Sequence, residues 1–119
     1  MDYIYYIGIA ILLGFFVQRL MPVRGVNQIT TSELRNMLKD KNKQFIDVRT
    51  PGEFRGTHIR EFKNIPLQEI SRKAETLSKE KEIIVICQSG MRSQNASKIL
   101  KRLGFKNITN VKGGMSAWR

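Results

Sequence analysis

Cysteine and histidine occur once each among the 119 residues. A single cysteine excludes an internal disulfide framework, and one cysteine with one histidine excludes a Cys/His-rich structural zinc site within the chain. Acidic side chains are also scarce: ten Asp and Glu stand against twenty-one Lys and Arg, a formal charge of +11. That surplus bears on solubility and partners rather than on fold. There is no internal repeat and no low-complexity segment. Hydrophobic residues make up 41% of the chain and charged residues 26%, a balance that fits neither a disordered polymer nor a polytopic membrane protein. A chain of this length holds one modest core.

Residues 3–17 (YIYYIGIAILLGFFV) lack charge altogether and are apolar on every helical face. Extended to Leu20, the run has eighteen residues, about 27 Å at ~1.5 Å per residue and near the ~30 Å of a bilayer core. Tyr3, Tyr5 and Tyr6 sit at one end as interfacial aromatics do, and Arg19 at the other can snorkel. A secretory signal would need a basic start, yet Asp2 is the only charge before the run, and no small-x-small cleavage site follows. The expectation is therefore a transmembrane anchor over residues 1–21, a linker over 22–28 containing Pro22 and Gly25, and a globular domain over 29–119. The whole positive surplus falls after Met21. The positive-inside tendency then gives a single-pass protein of the cell membrane with its C-terminal domain in the cytoplasm, where a lone cysteine stays reduced.

Within the domain, Thr30 with Glu33 forms a capping box, followed by Leu34, Met37 and Leu38 at helical spacing. Gln44 to Val48 (QFIDV) reads as a strand. Thr50, Pro51 and Glu53 repeat the helix-start grammar, and Gly56 keeps that helix short. A brief strand at residues 63–66 precedes a helix bearing Ile70, Ala74 and Leu77. Ile83-Ile84-Val85-Ile86 is a continuous β-branched run, the mark of a strand buried on both faces of a parallel sheet. The next helix carries Ala96, Ile99, Leu100 and Leu103 on one face and stops at Gly104. A last strand covers residues 107–111, and Gly113-Gly114 leads to a short tail with Trp118. Alternating strands and helices predict an α/β fold, doubly wound, with its ligand site beyond the carboxyl ends of the central strands.

Cys87 stands at that place, in the loop Cys87-Gln88-Ser89-Gly90-Met91-Arg92-Ser93 that runs directly into a helix. Gly90 permits positive φ, so the loop can curl and turn successive N–H groups inward. The helix adds its unpaired amides and the positive end of its dipole. Such surroundings favour thiolate over thiol, and a thiolate formed without a histidine base suits attack on sulfane sulfur. The plainer reading is a small buried core cysteine.

These residues resemble the rhodanese family of sulfurtransferases, single-domain type, over residues 29–118. Ile46-Asp47-Val48-Arg49 with Glu53-Phe54 is similar to the family's D-V-R strand and short E-Y/F helix. His58-Ile59 with Asn64-Ile65-Pro66 resembles its G-H-I-P-G-A-x-N-I-P segment. The Cys87 loop and Gly113-Gly114-x-x-x-Trp118 resemble its C-x-x-G-x-R-[ST] loop and closing G-G-x-x-x-W. Thr57 departs from the usual Gly, and Arg60-Glu61-Phe62 from Pro-Gly-Ala. The resemblance implies five parallel strands flanked by helices and a persulfide on Cys87 as the carried intermediate. It implies no cofactor and no metal.

The spacing from Cys87 to Arg92 is Cys-x4-Arg, whereas the related phosphatases use Cys-x5-Arg. The tighter ring fits one sulfane sulfur better than a phosphoryl group. Arg92 is expected to meet the anionic end of a donor such as thiosulfate, with Gln88, Ser89, Gly90, Met91 and Ser93 completing the binding loop. Asp47, Arg49, His58 and Trp118 are expected to be structural supports near the site. The expected function is sulfur transfer from thiosulfate or a protein persulfide to a thiol or protein acceptor. The alternatives are a non-catalytic module recruiting a partner to the membrane, and a phosphatase or arsenate reductase. Dispersed basic residues without interleaved aromatics speak against nucleic acid.

Overall fold

The β-branched run sets the architecture. The computed structural model describes residues 2–20 and 24–119, with backbone alone at residues 18–20. Strand β4 (Glu82–Ile86) is the middle strand of a five-stranded sheet that also contains β1 (Asn27–Ile29), β2 (Lys43–Asp47), β3 (Lys63–Asn64) and β5 (Ile108–Val111). Every pairing is parallel and the order is β1-β5-β4-β2-β3. Side chains alternate across a strand, so β4 feeds two cores. Ile83 and Val85 pack with Ile46, Ile108 and Leu100 on one face, while Ile84 and Ile86 pack with Phe45, Leu34 and Val111 on the other. Ile83, Ile84, Val85 and Ile86 are all fully buried, as two covered faces require.

Helices cover both faces. On the first lie α4 (Ile70–Lys73), through Ile70, and α5 (Met91–Arg102), through Ala96 and Leu100. On the second lie α2 (Thr31–Met37), through Leu34, and α6 (Gly114–Ala117), through Met115. The short α3 (Pro51–Gly56) joins β2 to β3. Both expected capping boxes form: Thr30 and Thr50 accept from the amides of Glu33 and Glu53, whose carboxylates accept in return. Helix α5 closes in a Schellman arrangement, with Phe105 N–H on the Leu100 carbonyl, Gly104 N–H on that of Lys101, and Gly104 at φ +98.

Three expectations need correction. Helix α1 (Asp2–Leu20) forms, but the transmembrane anchor is not supported: among the described residues no helix is long and apolar enough to cross a membrane. The uncharged residues 3–17 reach only about 22 Å at ~1.5 Å per residue, short of the ~30 Å hydrocarbon core, and Gln18 and Arg19 beyond them are polar. The expected linker is shorter, because Asn27 and Gln28 pair with β5 in β1; Met21, Pro22 and Val23 lie outside the described residues. The helix expected through Leu77 is one α-turn between two 3-10 turns, Leu67–Glu69 and Ala74–Thr76.

Candidate active site

Period two carries the Val85 face forward to Cys87, so the cysteine leaves β4 on the α5 side and joins that core. Gly90 takes φ +106 and turns the chain into α5. Its amide then donates to Cys87 Sγ at 2.9 Å. Ser93, in the first turn of α5, places Oγ 3.3 Å from Sγ and donates to the Gly90 carbonyl at 3.0 Å. Its hydroxyl can rotate to donate to an anionic sulfur. Among the described residues Gly90 supplies the one amide that bonds Sγ, a narrower cradle than the expected ring of N–H groups. Cys87 and Ser93 are both 0% exposed, so the sulfur is closed off from solvent.

The C-terminal segment buttresses this loop. Met115 N–H donates to the Cys87 carbonyl at 2.8 Å and Ser116 N–H to that of Gln88 at 2.9 Å. Gly114, at φ +55, lets the two backbones meet: a Cβ there would overlap the Cys87 carbonyl. Ser116 Oγ also accepts from the Gln88 side chain at 3.2 Å.

Two arginines border the loop, each held by a carboxylate. Arg49 Nε lies 3.0 and 3.1 Å from the two Asp47 carboxylate oxygens, and its Nη2 donates to Asp47 at 2.9 Å and to the Thr57 carbonyl at 2.6 Å. A third nitrogen of Arg49 reaches the Gln88 side-chain oxygen at 3.3 Å. Asn64 Nδ2 ties the carbonyls of Asp47 and Arg49 together at 3.0 Å each. Arg92 donates both ends of its fork to Glu53, at 2.6 and 2.9 Å. The Arg92 hydrogen bonds, with smaller help from the Thr50 cap, hold the Glu53 carboxyl down to about 2. Arg92 is pushed up in turn, chiefly by Glu53 and more weakly by the charges of Cys87 and Asp47.

The site is a buried sulfur at the carboxyl end of a central parallel strand, bonded by a glycine amide at the start of a helix. Residues 30–119 match the Rhodanese-like domain model. The chain belongs to the rhodanese-like family. Among relatives of this rhodanese-like chain, the Bacillus subtilis protein YtwF, whose name places it provisionally among sulfurtransferases, is 42% identical over 94 residues, covering 78% of this chain and 90% of its own. A protein of Allochromatium vinosum named Sulfurtransferase is 30% identical over 94 residues, with 78% and 88% covered. The crystal structure of a rhodanese-like domain protein from Staphylococcus aureus superposes with a TM-score of 0.73 at 35% identity, covering 79% of this chain and 92% of that one.

Of the rhodanese-like motif residues, the structure brings Asp47, Arg49 and the residue 87–93 loop together. His58 is exposed, with its ring stacked on Phe54 at 3.9 Å and its Nδ1 2.7 Å from the Phe54 carbonyl. Trp118 packs against the edge of the core on the opposite sheet face from Cys87, under the Arg35 guanidinium at 4.7 Å. Gln88, Ser89 and Gly90 form the turn itself, and Met91 is the exposed first residue of α5. Among the described residues no group of three His, Cys, Asp or Glu could hold a metal ion. Sequence reading missed Glu53 as the partner of Arg92, because its helix cap already accounted for it. It also missed Gly114 as the contact behind Cys87; the paired glycines were the available signal.

Proposed function

We propose that this rhodanese-like domain is a sulfurtransferase that carries sulfane sulfur on Cys87, from thiosulfate or a protein persulfide to a thiol or other thiophilic acceptor. The observation that carries the reading is Cys87 Sγ at the end of the central strand, accepting the Gly90 N–H beside the start of α5. Sγ attacks the outer sulfur of the donor, a new S–S bond forms, and the donor's own S–S bond breaks. Sulfite leaves from thiosulfate, or a thiolate from a persulfide, and the outer sulfur remains on Cys87. An acceptor thiolate then attacks that sulfur and restores Cys87. No external oxidant or reductant enters either half. The Gly90 amide on Sγ, and the Ser93 hydroxyl 3.3 Å from it, support an anionic sulfur on the resting cysteine. A reducing compartment such as the cytoplasm suits a free working thiol.

Incubation with thiosulfate should add one sulfur, about 32 Da, to the intact mass, and Cys87→Ser should abolish the addition. An adduct that survives Cys87→Ser overturns the assignment. The second reading, a non-catalytic partner-recruiting module, has the complete burial of Cys87 on its side. It predicts no adduct with any sulfane donor and unchanged cellular function in Cys87→Ala.

A further inference from the structure

We propose that Glu53 selects the donor class of the Cys87 site, favouring persulfides over dianionic oxyanion donors such as thiosulfate. The inference rests on the sulfur-transfer reading and deepens it. Its basis is the state of the two cations beside the loop. Arg49 is buried and spent on Asp47 and Thr57. Arg92 is the second residue of α5, in the first helical turn with Ser93, whose hydroxyl lies 3.3 Å from Sγ, so it is the cation an anionic donor would meet. Both ends of its fork are nevertheless occupied by the Glu53 carboxylate. Glu53 is fixed from its other side as well, since its Oε1 accepts from the amide and hydroxyl of Thr50 in the α3 capping box. The guanidinium's charge is thus offset by a carboxylate that a helix cap holds still.

The two donor classes respond differently to that arrangement. Thiosulfate brings two negative charges: the thiolate takes its outer sulfur, the S–S bond breaks, and sulfite leaves with both charges. Its three oxygens need a free cation, and they meet a carboxylate of like sign instead. A protonated alkyl persulfide arrives uncharged at the reacting sulfurs. Sγ takes the outer sulfur with its proton, and the alkyl thiolate leaves with one charge. Cancelling Arg92 therefore costs the first reaction more than the second.

The test measures kcat/KM of the full chain with thiosulfate and with the persulfide of 2-mercaptoethanol, using a thiol acceptor. Glu53→Gln retains a capping-box residue while removing the charge. It should raise kcat/KM for thiosulfate about five-fold, mainly through KM, the scale of one partly screened charge contact. The persulfide value should change less than about two-fold, and sulfate should become a competitive inhibitor. A parallel change with both donors, in either direction, assigns Glu53 a merely structural role and overturns the proposal. The wild-type chain supplies a second arm that needs no variant: sulfate should compete poorly with the persulfide, and tight competition overturns the proposal. Failure of the wild-type chain to load Cys87 from either donor would instead overturn the sulfur-transfer reading, and the proposal with it.

Discussion

Glu53 serves the start of α3 and the Arg92 fork with one carboxylate, and this makes acid stability a direct probe of the contact. Its carboxyl falls from 4.5 to about 2 on folding, chiefly through the Arg92 hydrogen bonds. A depressed carboxyl contributes stability that is fully present above its unfolded value and lost as pH falls through its folded one. The contribution should thus be intact above about pH 4.5 and fade toward pH 2. Both side chains are about a third exposed, so solvent screening limits the effect to about 1 kcal/mol. Urea denaturation between pH 5 and pH 2 should show a steeper loss in the wild-type chain than in Glu53→Gln. Superimposable profiles would show that the pair does not form in solution. Cys87 and Gly90 were legible in the sequence because strand, loop and helix are contiguous there. The Arg92–Glu53 contact was not, since 39 residues separate the partners and only the fold brings α3 beside α5.

Elements defined by local chemistry were read closely, and those defined by their neighbours were not. The two capping boxes, the β4 run and the Gly104 stop all act within a few residues, and each stands where expected. Strand β1 is three residues of mixed polarity, and its identity comes from the partner strand β5 rather than from its own pattern. The Gly113-Gly114 pair is an intermediate case: the glycines signalled a turn, while the reason for the second one lies in the Cys87 carbonyl it touches. Gly114→Ala must both populate φ +55 and push the Cys87 and Gln88 backbone aside. Strain in the left-handed region and overpacking against main chain should together cost about 2–4 kcal/mol of folding stability. Sulfur loading of Cys87 should fall with it, because Met115 and Ser116 would no longer hold the loop carbonyls. A urea midpoint unchanged from wild type would show that α6 yields without disturbing the loop.

At the scale of the whole molecule, neither of the two cores contains a described residue of α1. Their buried residues run from Ile29 to Val111, with Val26, Met115 and Trp118 packed at the margins. Every described side chain of α1 is exposed, including Tyr3, Leu12 and Phe16 at more than 60%. The uncharged run was legible as a helix, but helix formation did not settle what the helix packs against, and among the described residues no helix is long and apolar enough to cross a membrane. The geometry makes α1 dispensable for folding, since hydrophobic stabilisation scales with apolar area removed from water and no described residue of α1 belongs to either core. Deletion of residues 2–20 should therefore leave the thermal midpoint within about 2 °C of the full chain, less than the shift expected for 1 kcal/mol in a domain of this size. Thiosulfate should still add sulfur to Cys87 in the shortened chain, because the residues bonded to Sγ, Gly90 and Ser93, lie in the loop after β4 and the first turn of α5. A fall of more than about 5 °C, about 1 kcal/mol of lost packing, would show that α1 covers part of the domain in solution and that the two cores are not self-sufficient.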